Sequence, residues 1–107
     1  MGTRVTVRRR LRAAQDVEQI ADYLAADSLE VAIRFVQNTE ATIHEISESP
    51  QLGGLFESGV PELAGLRYRR IMGFPNHLVF YLEDENAIDV IRVLHGARDL
   101  DTALRTT

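Results

Sequence analysis

The side chains best suited to chemistry in this sequence are arginines and histidines. All 12 basic residues are arginines, and there are three histidines: His44, His77 and His95. Imidazole titrates near neutral pH without any perturbation, and a guanidinium group forms paired hydrogen bonds to phosphate or carboxylate. Arginines beside a histidine therefore suit either RNA cleavage, with histidine as acid or base, or binding to the carboxylates of a protein partner.

The C-terminal half contains the densest group of these residues. Its members form a candidate basic surface: Arg67, Arg69, Arg70, His95 and Arg98. Strand alternation places Arg67 and Arg69 on one face and Arg70 on the other. Residues 16–62 are strongly acidic, so a net charge of −4 is compatible with one basic face. Of the two tasks, the residues alone slightly favour protein binding.

Other kinds of site have no support in the sequence. There is no cysteine, so there is neither a disulfide framework nor a thiolate metal site. No histidine spacing is typical of a metal site. His77 opens one predicted strand and His95 closes the next, so we expect them at opposite ends of the ladder. Gly53-Gly54 lacks the Lys-Ser/Thr of a phosphate loop, and no serine lies in a nucleophile motif. We predict no metal and no cofactor.

The length and hydropathy indicate one domain over residues 1–107. The longest apolar runs are about five residues, against the ~20 that span a bilayer. No secretory signal is recognisable at the N-terminus. The expected location is the cytoplasm, where an absence of cysteine pairing is ordinary.

Two helices are predicted in the first half of the chain, after a short strand at Thr3–Arg8. Apolar residues recur at three- and four-residue spacing from Leu11 to Ala26 and again from Leu29 to Glu48. Ser28 is suited to cap the second helix, with Glu30 in its first turn. The short break between the helices predicts an antiparallel helical hairpin.

Three strands are predicted after an ordered surface loop at Gln51–Leu63. They run over Leu66–Met72, His77–Leu82 and Ile88–Leu94, and connections of hairpin length separate them. Asp99–Arg105 is suited to one terminal helical turn. In the last strand, alternation places Ile88, Val90, Arg92 and Leu94 on one face and Asp89, Ile91, Val93 and His95 on the other.

This order predicts an α+β fold. An N-terminal strand, an antiparallel helical hairpin and a three-stranded antiparallel meander form one sheet, with the helices packed on one face. The other face is expected to be polar or to be covered by a partner. Candidates for that open surface are Tyr68, Phe80 and Leu82.

Six short motifs occur in order along nearly the whole sequence. They are Ala14-x-Asp16-Val17-x-x-Ile20-x-x-Tyr23-Leu24, Ala32-x-x-Phe35, Pro50-x-x-Gly53, Gly65-Leu66-Arg67, His77-Leu78-Val79-Phe80-Tyr81 and Val93-Leu94-His95-Gly96-Ala97-Arg98-Asp99-Leu100. In this order, and especially in the last motif, the sequence resembles ParE-type toxins of the RelE/ParE superfamily. The layout derived from periodicity agrees with that family's fold.

The resemblance implies the toxin of a type II toxin–antitoxin system that poisons DNA gyrase and inhibits growth, without an enzymatic activity of its own. A ParD-like antitoxin would neutralise it by folding around it. DNA contact would be indirect, through the antitoxin, and no membrane is involved. The candidates for binding the antitoxin or the target are Arg67, Arg69, Tyr68, Phe80, His95 and Arg98.

Two alternatives remain open. RelE-like toxins are ribosome-dependent messenger-RNA endonucleases, and that resemblance would assign catalysis to Arg67, Arg70, His77, His95 and Arg98. Against it, His77 stands where RelE-like strands commonly have arginine, and the lysines of that site are missing. The other alternative is a binding module whose toxicity has decayed.

Overall fold

A computed structural model describes residues 5–106 of the chain. The helices and strands, in chain order, are β1 (Thr6–Arg9), α1 (Leu11–Ala25), α2 (Leu29–Glu48), β2 (Gly54–Leu55), β3 (Arg67–Ile71), β4 (Phe74–Asp84), β5 (Ala87–His95) and α3 (Leu100–Arg105). Short 3-10 turns occupy Pro50–Leu52 and Pro61–Leu63. The predicted α+β class is confirmed. The start of the first predicted strand, at Thr3, lies outside the described residues.

The strands form one sheet in the order β1-β5-β4-β3-β2. The helical hairpin carries the chain back across the sheet, so β1 pairs with β5 in parallel, whereas the remaining pairs are antiparallel. The predicted meander corresponds to β3, β4 and β5. The detail that differs is β2, a two-residue edge strand inside the segment predicted to be a loop.

The helical hairpin covers one face of the sheet, as the periodicity predicts. The Ser28 hydroxyl accepts a hydrogen bond from the Val31 amide at 3.2 Å, which caps α2. Beneath the hairpin lies the helix-side core, whose largest helical members, Phe35 and Ile46, are fully buried. It consists of Ala13, Val17, Phe35, Ile43, Ile46, Ile71, Val79, Tyr81, Ile88, Val90 and Val93.

The other face of the sheet is covered too, which corrects the expectation of an open surface. Phe80, predicted to be exposed there, is 0% exposed. It lies in a loop-side core formed by Leu63, Leu66, Leu78, Phe80, Ile91, Leu94, Ala103 and Leu104. The cover is the segment 56–66 together with α3. A loop and a six-residue helix show no long periodic pattern, so periodicity does not predict that they bury the sheet.

A β-bulge in β5 corrects the predicted assignment of its faces. Tyr81 pairs with Val90 and Phe80 pairs with Arg92, so Ile91 is an extra residue between them. As a result Val90 and Val93 both belong to the helix-side core, and Ile91 belongs to the loop-side core. The expected strict alternation is wrong from this point on.

A buried ion pair joins the two sides of the sheet. The Asp16 carboxylate of α1 accepts hydrogen bonds from Arg92 Nε at 2.7 Å and from Arg92 Nη2 at 2.9 Å. It also accepts one from the Val93 amide at 3.0 Å. This amide lies beyond Arg9↔Val90, the last pair between β1 and β5. Arg92 Nη1 donates to the Ala103 carbonyl of α3 at 2.8 Å, so a single guanidinium ties α1, β5 and α3 together.

Candidate partner-binding site

Two arginines of the candidate basic surface bind atoms of their own chain. Arg67 Nη1 donates to the Gly53 carbonyl at 2.8 Å and to the Gln51 carbonyl at 3.3 Å. Arg69 Nη2 donates to a Glu45 carboxylate oxygen of α2 at 3.3 Å. The contacts of Arg67 are explained by the turn that follows α2, because this turn brings the carbonyls of Gln51 and Gly53 over the start of β3. Both guanidinium groups therefore have structural acceptors.

The turn held by Arg67 also depends on Tyr81. The Tyr81 hydroxyl donates to the Pro50 carbonyl at 2.6 Å, and burial of the phenol raises the pKa of Tyr81 above its ordinary value. A Cβ at Gly53 would overlap the Tyr81 hydroxyl, so only glycine allows the chain to pass this close. These contacts fix the position at which β2 begins.

Arg70 lies on the opposite side of β3, where its pairing with Leu78 places it beside the loop-side core. It is exposed, and no carboxylate within residues 5–106 forms an ion pair with it. It borders an open groove of about 540 Å³, here called the sheet-end groove. The groove is lined by Leu55, Phe56, Tyr68, Arg70, Pro75, Asn76, Leu78, His95, Gly96 and Ala97.

His77 and His95 are direct cross-strand partners, which corrects their expected separation. In an antiparallel pair the beginning of one strand faces the end of the next, and the ring centroids lie 4.9 Å apart. The pKa of His77 is lowered by burial and, to a smaller extent, by the charge of His95. Within residues 5–106, no three or more His, Cys, Asp or Glu side chains are placed to hold a metal ion together.

His95 has a defined tautomer when it is neutral. Its Nδ1 accepts a hydrogen bond from the Ala97 amide at 3.0 Å. A backbone N–H can only donate, so Nδ1 carries no proton and Nε2 carries it. The exposed imidazole therefore presents a hydrogen-bond donor at Nε2, not a basic lone pair.

Arg98 and the segment after it lie outside the sheet-end groove. Arg98 is exposed and does not line the groove. Asp99 caps α3, because its carboxylate accepts from the Thr102 amide at 3.3 Å and from the Thr102 hydroxyl at 2.7 Å. These hydrogen bonds lower the pKa of Asp99. The end of the tail is therefore a helix start, not an extension of the basic surface.

The sequence matches a family model described as ParE toxin of type II toxin–antitoxin system, parDE, over residues 7–100. The chain belongs to the ParE toxin family. The fold is similar to a solved structure described as "Chromosomal ParDE TA system from P. aeruginosa", with a TM-score of 0.68 and 19% sequence identity. That alignment covers 86% of this chain and 96% of the other. No curated protein matches the sequence.

The ParE-type toxin brings only part of the predicted site together. Tyr68, Arg70 and His95 line the sheet-end groove, and His77 lies against His95. Four further predicted residues are placed elsewhere: Arg67 and Arg69 bind the toxin's own chain, Phe80 is buried and Arg98 stands apart. Within residues 5–106 no helix is long and apolar enough to cross a bilayer.

Two features of the toxin are not predicted by the sequence patterns: the place of Leu55 in the groove and a buried ion pair. Leu55 lines the groove with 66% of its surface exposed, and its signal was an apolar residue just after two glycines. The Asp16–Arg92 pair was the second, and its signal was an arginine placed between Ile91 and Val93 in an otherwise apolar strand. A buried arginine requires an acceptor, but the sequence does not say which carboxylate supplies it.

Proposed function

We propose that this toxin is neutralised by a ParD-like antitoxin and inhibits DNA gyrase by binding, without a chemical step of its own. The observation that carries the proposal is the match to the ParE toxin family over residues 7–100. Arg67 and Arg69 bind Gly53, Gln51 and Glu45 of their own chain, which removes Arg67 from the set of residues that the RNA-cleavage alternative requires.

The tautomer of His95 supports a binding role. A general base must present an unprotonated nitrogen to the hydroxyl it activates. In His95 that nitrogen is Nδ1, which the Ala97 amide occupies at 3.0 Å. A histidine held in this way donates to an acceptor on a partner, and His95 is exposed enough to do so.

A supercoiling assay tests the proposed target. Purified toxin is added to DNA gyrase and relaxed plasmid, and loss of supercoiling or accumulation of cleaved plasmid is expected. Gyrase that remains fully active at toxin concentrations that arrest growth would contradict the assignment. Induction in a host without the antitoxin is the companion measurement, because unimpaired growth would leave only the binding role.

A messenger-RNA endonuclease is the second candidate, and one observation favours it. Tyr68, Arg70 and His95 line the same groove. An RNA base stacked on Tyr68 and a phosphate bound by Arg70 would therefore lie beside the imidazole of His95. If His95 is an acid or base, His95→Gln reduces RNA cleavage by ~10²–10⁴-fold. Under the binding proposal the same variant keeps an amide donor, and growth arrest persists with no ribosome-dependent cuts in transcripts.

A further inference from the structure

The helix α2 has apolar side chains on two faces, and only one of these faces is buried. Phe35 and Ile46 lie in the helix-side core, whereas Leu29 is 67% exposed, Ile33 50% and Val36 37%. Spacings of four and three residues place these three side chains next to one another on the outward side of the helix. Contiguous exposed apolar surface of this kind is typical of a contact with another protein.

Two opposite charges lie beside this apolar stripe. The side chains of Glu30 and Arg34 are exposed, and neither forms an ion pair with a side chain of residues 5–106. A rotation of about 100° per residue places both charges on one side of the outward surface and the apolar stripe on the other. This surface, here called the outer face of α2, consists of Leu29, Glu30, Ile33, Arg34 and Val36.

A two-fold axis makes the outer face of α2 complementary to itself. Rotation about an axis that lies in the contact and crosses α2 at right angles near Ala32 reverses the direction of the helix. The charged side of one copy then lies opposite the charged side of the other, as in any isologous contact. Glu30 therefore faces Arg34 of the second copy, and the symmetry repeats this pair. The same rotation brings Leu29 of one copy against the apolar stripe of the other.

We propose that two copies of the toxin associate through the outer face of α2, with the two helices antiparallel. The charges favour a second copy over other partners. The helix contains four glutamates and a single arginine, so nucleic acid and an acidic peptide are disfavoured along it. A second copy offers each charge of the outer face its opposite. This association requires neither gyrase nor the antitoxin.

The affinity follows from the size of the contact. One helix face is smaller than the ~1,600 Å² of a standard stable interface, so we expect a weak dimer with a Kd on the order of 10–100 µM. Sedimentation equilibrium of the purified toxin, from about 1 to 500 µM, covers this range. The wild type should change from monomer to dimer within it.

Single substitutions test which residues form the contact. Glu30→Arg and Arg34→Glu each turn both ion pairs into like-charge contacts, so each should raise the Kd of the dimer at least about tenfold. Ile33→Asp places a charge in the apolar stripe and should leave the toxin monomeric. The matched control is Glu62→Arg, at an exposed residue on the loop side of the sheet, and it should keep the Kd within about twofold. Circular dichroism shows whether each variant is folded.

A mixture of the two charge variants distinguishes the antiparallel arrangement from any other. Glu30→Arg has two arginines on the outer face, and Arg34→Glu has two glutamates. A mixed dimer therefore contains both ion pairs, whereas each variant alone contains none. An equimolar mixture should associate with a Kd within about threefold of the wild-type value. A mixture that remains monomeric, as each variant does alone, would contradict the pairing of Glu30 with Arg34.

Three further results would overturn the inference. A wild type that remains monomeric up to about 500 µM has no contact of the expected strength. A dimer that forms equally well in Ile33→Asp and in both charge variants uses another surface. A monomeric wild type whose binding to the purified antitoxin is weakened about tenfold or more by Ile33→Asp would assign the outer face of α2 to the antitoxin.

Discussion

The two faces of the sheet are buried in different ways. On one face, α1 and α2 contribute long amphipathic stripes, and the helix-side core has Phe35 and Ile46 at its centre. On the other, the loop-side core around Phe80 is closed by the segment 56–66 and the short α3. Burial is equally complete at Phe35 and Phe80, which are both 0% exposed. Helical periodicity therefore predicts that helices cover a face of the sheet. Its absence does not mean that the other face is open to solvent.

The connection between the faces is polar. Arg92 starts on the loop side of β5 and reaches Asp16 of α1 past the end of β1. Its side chain is 1% exposed, and that of Asp16 is 7% exposed. A charge this deeply buried is tolerated because each guanidinium nitrogen has an acceptor. The stability of the loop-side core is thereby coupled to a residue of the helix side.

The largest effect is expected from breaking this connection. Asp16→Ala leaves Arg92 and the Val93 amide without their acceptor, and should lower the free energy of unfolding by about 5 kcal/mol. Denaturant titration at pH 7 measures it. Asp16→Asn keeps an oxygen for Val93 and should lose less. The matched surface control is Glu40→Ala, which breaks an exposed pair with Arg9 and should cost about 1 kcal/mol or less. Equal decreases in the free energy of unfolding for Asp16→Ala and Glu40→Ala would show that the buried ion pair stabilises the fold no more than the exposed one.

Truncation of the two central phenylalanines compares the cores directly. Phe80→Ala and Phe35→Ala should each cost about 3–4 kcal/mol, because each leaves a cavity among fully buried side chains. The same denaturant titration applies to both. A loss below about 1 kcal/mol for Phe80→Ala alone, in the range of exposed substitutions, would mean that the loop and α3 do not cover their face in solution.

Removing the Tyr81 hydroxyl probes how the loop is attached to the helix-side core. Tyr81→Phe leaves the Pro50 carbonyl without its donor and should cost about 1–2 kcal/mol. Since burial raises the pKa of Tyr81, the neutral phenol is favoured in the folded state. The contribution of the neutral phenol to the free energy of unfolding is fully present below about pH 10. It is lost as the pH rises through the pKa of Tyr81 in the folded state. Midpoints between pH 9 and 11 should fall further for the wild type than for Tyr81→Phe, and parallel falls would refute this.

The smallest effect concerns the histidine pair. Burial and His95 lower the pKa of His77, so the unfolded chain binds a proton more readily than the folded one. The contribution of neutral His77 to the free energy of unfolding is fully present above pH 6.5, the ordinary pKa of histidine. It falls as the pH drops below that value. Urea midpoints at pH 7.5 and 5 should differ less in His77→Phe than in the wild type. His44→Gln, on an exposed part of α2, is the control and should keep the wild-type difference.

The elements predicted well are those with a regular pattern. The apolar stripes that include Val17 and Phe35 predict both helices, and the period-two segments predict β3, β4 and β5. The bulge at Ile91 was not foreseeable, because one inserted residue leaves the composition of the strand unchanged. The cross-strand contact of His77 and His95 follows from an antiparallel meander, in which the beginning of one strand faces the end of the next, so the expected separation is wrong.

The candidate site was predicted by residue type and only partly by arrangement. Arg70 and His95 line the same groove, and their functional roles stay predictions. Arg67 lies elsewhere, because its acceptors are the backbone carbonyls of Gln51 and Gly53, whose position depends on a turn without periodicity. Side-chain-to-backbone contacts of this kind depend on the path of the loop, which residue types alone do not specify.

The Asp16–Arg92 pair also has a consequence for the order in which the chain folds. The two residues are 76 positions apart, and the pairing of β1 with β5 closes a loop of similar length. The helical hairpin needs only neighbouring residues, so its contacts can form first. Closing nearly the whole chain costs entropy before any contact compensates for it. We expect the carboxylate of Asp16 to remain in water until β5 arrives, which makes the closing ion pair one of the last native contacts to form.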